Sequence, residues 1–102
     1  MKCFGFFKGM KYGKCEEDFA LYESQKNQLN KSEILEYMKA LPIAAVAPIS
    51  VEDIFTGEPL KQAGIIEDGG FRFPIDFIHY FEKYNIGIPS EYEAHIKSKL
   101  NK

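Results

Sequence analysis

The sequence predicts an α+β fold: a helix-rich small single domain of about four helices, with one β-hairpin near residues 64–73. Three observations lead there. Several stretches repeat apolar residues at helical spacing. The pair Gly69-Gly70 lies between two runs rich in β-branched and aromatic residues. The 102 residues, 45% apolar and 27% charged, suffice for one core.

Residues 1–15 read as a basic, aromatic, glycine-rich arm ahead of a single compact domain over 16–102. Gly5, Gly9 and Gly13 recur every four residues among Phe4, Phe6, Phe7, Met10 and Tyr12, a density that argues against a stable helix. Such an arm suits a docked terminal strand or a frayed end. It also suits contact with an anionic membrane surface. Glu16, Glu17 and Asp18 put negative charge where a helix dipole favours it, so a helix is expected to follow through Phe19, Ala20 and Tyr22 as far as Leu29, its end loosened by Asn27 and Asn30.

Asn30 and Glu33 form a capping-box pattern ahead of Ile34, Leu35, Met38 and Leu41, one apolar stripe that Pro42 ends. The proline-bounded run Ile43 to Ile49 reads as a buried strand or extended segment. Ser50 and Asp53 bracket a short helix over Val51 to Phe55, which the turn Thr56-Gly57-Glu58-Pro59 closes.

Two hairpin registers are open between Ile65-Ile66 and Phe71-Arg72-Phe73. A turn at Gly69-Gly70 sets Glu67 opposite Arg72, and a turn at Asp68-Gly69 sets Ile66 opposite Phe71. Pro74 then opens a strongly apolar helix through Tyr84, stopped by Asn85-Ile86-Gly87. The last helix starts at Pro89-Ser90, pairs Ser90 with Glu93 as a second capping box, and carries Tyr92, Ile96 and Leu100 on one stripe. The core is expected around Phe77, Ile78, Phe81 and Tyr84, with Ile34, Leu35, Met38, Leu41, Tyr92 and Ile96 about them.

The segment from Phe73-Pro74-Ile75-Asp76-Phe77 through Asn85 resembles the "Pro-x-Asp-Tyr, then Leu-x-x-Tyr-Asn-Gly" helix of the SMI1/KNR4-like immunity domains, over thirteen of the 102 residues. In that family a sheet follows the helix, whereas the seventeen residues after Asn85 read as helical here, so the likeness is confined to the helix. It implies a small inhibitor-type role.

Composition and spacing narrow the function. A net charge of −2 lacks the basic footprint nucleic acid requires. The charge is uneven: residues 1–15 hold Lys2, Lys8, Lys11 and Lys14 and no acid, which leaves −6 for the rest. No apolar run nears the roughly 18 residues of a membrane span, and the start lacks the long apolar region of a secretory signal. A cytoplasmic protein is expected. Cys3 and Cys15 match no metal or redox spacing, and His79 and His95, sixteen residues apart, lack companion ligands at metal-site spacing. Neither a nucleophile motif nor a phosphate loop occurs. The expectation is no cofactor, no metal and no enzyme.

The most specific feature is acidic. Glu52, Asp53, Glu58, Glu67, Asp68 and Asp76 fall within twenty-five residues, against Lys61 and Arg72. With Phe55, Phe71 and Phe73 nearby as anchors, this suggests a docking surface for a basic partner. The chain then reads as a non-enzymatic protein-binding module, of inhibitor, immunity or regulatory accessory type. Glu52, Asp53, Glu67, Asp68 and Phe71 are its expected contact residues. Two alternatives stand beside it. One is a small ligand-binding or enzymatic domain using His79 with Asp76 or Asp53; the other is a membrane-surface adaptor acting through the arm. A homodimer is a further partner, since exposed aromatics seek cover.

Overall fold

The computed structural model describes residues 2–10 and 16–100. Within them the chain runs β1 (Lys2–Cys3), α1 (Phe19–Glu23), α2 (Lys31–Lys39), β2 (Ala45–Ala47), β3 (Ala63–Asp68), β4 (Phe71–Pro74), α3 (Ile75–Lys83) and α4 (Ser90–Leu100). Among the described residues this is a small α+β domain of four helices and a four-stranded mixed sheet.

The sheet order is β1-β4-β3-β2, with β1 parallel to β4 and the other pairs antiparallel. The expected hairpin is its centre and not its whole. Glu67 faces Arg72 and Asp68 faces Phe71, so the turn is Gly69-Gly70. Both glycines have positive φ, 54° and 89°, as such a turn demands. Beyond the hairpin, the sheet adds β2, inside the run that reads as a strand or extended segment, and β1, in the arm that suits a docked terminal strand. Each is only two or three residues long, too short to show a period of two.

The aromatic arm completes the core. Phe4, Phe6 and Phe7 are buried. The Lys2 N–H donates to Gly70 O (2.8 Å) and the Phe4 N–H to Arg72 O (2.9 Å), which lays the arm along β4. Phe4 then meets Phe77 edge-on at 5.2 Å and lies 4.9 Å from the Tyr92 ring. Gly5 makes this approach feasible. Its φ is +78°, and a Cβ there would lie 2.7 Å from Phe77 Cδ1. Gly13 and Cys15 lie outside the described residues, and with them the question of a Cys3–Cys15 bridge.

On α3, Phe77, Tyr80 and Phe81 are buried, whereas Ile78 and Tyr84 are half-buried. The helix is apolar nearly all round, yet only one face meets the core, so two of the four residues expected at the centre turn toward a cleft and a surface loop instead. Ile34, Met38, Tyr92 and Ile96 take their expected places, with Leu35 and Leu41 packed at the margin.

Several local expectations fail where side chains take other partners or an element ends early. Asn30 makes no side-chain cap bond on α2. Glu93 is buried and accepts from the N–H groups of Gln28 (2.6 Å) and Leu29 (2.8 Å), tying α4 to the segment before α2. The helix expected over Val51 to Phe55 is instead a turn wrapped round Asp53. Its Oδ1 accepts from the Phe55 N–H (2.8 Å) and the Thr56 N–H (3.2 Å), an alternative that Asp offers the backbone against helix. α1 spans only five residues, starting at Phe19. β2 is not buried as expected: Ala45 and Val46 are exposed, because β2 is an edge with one neighbour. No helix among the described residues is long and apolar enough to cross a membrane.

Candidate functional site

The turn round Asp53 and the outer face of α3 build the most chemically defined corner of the molecule. Asp53 is 1% exposed, yet its carboxylate is saturated with donors. Oδ2 lies 2.8 Å from His79 Nε2 and accepts from the Tyr84 hydroxyl at 2.8 Å, while Oδ1 serves the two turn amides. Burial pushes this carboxyl up, but the hydrogen bonds from His79, the Phe55 N–H, Tyr84 and the Thr56 N–H together outweigh it and hold the group at about 2. Burial raises the Tyr84 hydroxyl, and its bond to Asp53 raises it further. Tyr80, whose oxygen accepts from the Ile54 N–H at 2.9 Å, is pushed up to about 12 chiefly by burial.

His79 stands between this network and a cleft of about 510 Å³. Met38, Ile66, Ile75 and Ile78 line it, with Ile43 and Leu60 at its mouth. Its charged margin is largely neutralised: Lys39 pairs with Glu82 (3.1 Å) and Lys83 with Glu58 (2.8 Å). Lys61 also lines the cleft, with no carboxylate within ion-pair distance among the described residues. A smaller hollow of about 240 Å³ lies between Gly9-Met10 and the Asp53 turn, with Asp76 on its wall.

A second network surrounds Asp68 at the hairpin. Asp68 Oδ2 accepts from the hydroxyls of Tyr37 (2.8 Å) and Tyr92 (2.9 Å). His95 Nε2 lies 3.1 Å from Asp68 Oδ1. Burial pushes the Asp68 carboxyl up, and His95, Tyr37 and Tyr92 pull it below its ordinary value. The His95 ring covers Gly69, where a Cβ would fall 2.1 Å from its Cε1.

The expected acidic contact residues therefore divide. Glu52 and Glu67 are exposed, and Glu67 accepts from Arg72 Nε at 2.9 Å. Asp53 and Asp68 turn inward into separate networks that share no partner. Phe71 is half-buried against Phe4, Tyr92 and His95. Of the two carboxylates considered for His79, Asp53 is the one bonded to it; Asp76 is buried in the first turn of α3. Tyr84, expected in the core, borders this corner with Leu60 and Lys61; none of the three reads as a site residue in the sequence, since nothing in the spacing links residues 53, 60 and 84. Among the described residues, no group of three His, Cys, Asp or Glu side chains is placed to hold a metal ion.

The site thus belongs to a small α+β domain with an apolar cleft and a carboxylate–imidazole pair at its edge. No protein-family model, curated protein or solved structure matches this chain.

Proposed function

We propose that the chain is a non-enzymatic protein-binding module that receives apolar side chains of a partner in the cleft between α2, α3 and residues 58–62. The cleft itself carries this reading: about 510 Å³, an apolar floor, and a charged margin neutralised by internal ion pairs apart from Lys61. Such an arrangement lets apolar groups enter past paired charges, while the exposed Lys61 keeps its ammonium in water. The carboxylates expected to form an acidic surface contribute less, because Asp53 and Asp68 are occupied within the fold.

A second reading rests on one distance. His79 Nε2 lies 2.8 Å from Asp53 Oδ2 while the ring lines the cleft. A carboxylate that orients an imidazole at a pocket is the arrangement a ligand-binding or acid–base site uses.

The test compares affinity capture by the wild type and by Leu60→Lys, which puts a charge at the mouth of the cleft. A stoichiometric partner lost in the variant supports the binding module. A partner retained at full strength removes the cleft from its interface. If neither form captures protein, small-ligand screening against wild type and His79→Ala becomes the deciding measurement.

A further inference from the structure

The outer edge of β2 carries no strand among the described residues. Ile43, Val46 and Ile49 on this segment are 44%, 58% and 44% exposed, three of the five large apolar residues most open to solvent. Natural edges of this kind are usually blunted with charge. Here residues 42–51 hold no charged side chain at all, in a chain that is 27% charged.

The segment is also self-complementary. Read outward from Val46, the order Ile43-Ala44-Ala45-Val46-Ala47-Pro48-Ile49 has alanine on either side, then Ala44 and Pro48, then isoleucine at both ends. An isologous two-fold contact needs such a pattern, because the same patch must fit itself. Antiparallel pairing centred on Val46 sets Ala45 against the partner's Ala47 and Ile43 against the partner's Ile49. Pro48 then falls opposite Ala44, whose N–H is already given to Ile65 O at 2.9 Å. The electrostatics agree: two uncharged edges meet without repulsion, while a charged partner segment would find nothing to pair with. Pro42 and Pro48 confine the edge to β2, so the contact closes as a pair.

We propose that two copies of this chain associate through β2, giving one continuous sheet of four strands from each copy. The contact is small, below the roughly 1,200 Å² of standard interfaces, so association is weak, with a Kd on the order of 100 μM. The surface is distinct from the partner cleft, sharing only Ile43 with it.

Sedimentation equilibrium of the full chain, from about 10 μM to about 500 μM, tests this. The expected result is a monomer–dimer equilibrium in the wild type, weakened at least tenfold in Val46→Glu and in Ile49→Asp, with circular dichroism and Tm unchanged. Both substituted side chains are exposed, so the fold tolerates the charge. A wild type that stays monomeric overturns the proposal. So does a dimer equally tight in Val46→Glu, or a mass that climbs past two copies. Partner capture by Val46→Glu separates the two ideas, since loss of the dimer leaves the cleft reading intact, and Leu60→Lys leaves the dimer intact.

Discussion

His79 Nε2 stands 2.8 Å from Asp53 Oδ2, joining α3 to a turn twenty-six residues earlier in the chain. The carboxylate is buried and takes four donors, so it closes the turn and fixes the imidazole together. Removing it leaves those donors unpaired. Asp53→Ala should therefore lower stability by about 3 kcal/mol, read as a fall in the urea midpoint, with Asp53→Asn costing less because it keeps an acceptor.

The same group sets a pH dependence. Its folded pKa, about 2, lies below the unfolded value near 3.9, so its contribution is complete above pH ~4 and is lost as pH falls toward 2. That contribution is about 2 kcal/mol. Urea titrations at descending pH should show the wild type losing this much more stability than Asp53→Asn. Parallel losses would place the acid sensitivity elsewhere.

Charge reversal at two adjacent residues should give opposite results. Glu67 and Arg72 form an exposed pair, so Glu67→Lys should shift stability by no more than about 1 kcal/mol. Asp68→Lys puts a cation among Tyr37, Tyr92 and His95 and should cost several times as much. A double reversal would report folding and not binding; Glu67→Lys alone is the informative surface variant. Thermal melts of the two single variants check the contrast.

At the centre, Phe81 is 1% exposed and stacks on Phe77 at 6.1 Å. Phe81→Ala should cost about 3–5 kcal/mol, a large share of such a domain's stability. Cooperative unfolding at near wild-type Tm would refute the core.

Gly5 offers a test of the arm. Gly5→Ala should lower Tm markedly, because the methyl group meets Phe77 and the backbone lies at φ +78°. If the arm were peripheral, the substitution would be silent. A membrane role for this segment would first have to draw Phe4 and Phe7 out of the core; among its described residues, Lys2 and Lys8 are the exposed charged side chains.

Much of this architecture was legible before any coordinates. α2, α3 and α4 follow from apolar residues at helical spacing with Pro42, Gly87 and Pro89 as punctuation, and the hairpin follows from Gly69-Gly70. These signals are local, generated by the preferences of neighbouring residues, so a linear reading recovers them. Only the tertiary structure decided between the two hairpin registers, drew the arm's phenylalanines inside, and left Ile43, Val46 and Ile49 outside. It also moved Glu93 from a cap to a cross-chain acceptor and Asp53 from a surface acid to the hub beneath His79. Each of those outcomes depends on which distant groups meet. A buried carboxylate is held by whichever donors surround it in space, and β2, with a strand on one side only, stays exposed although its residues are apolar.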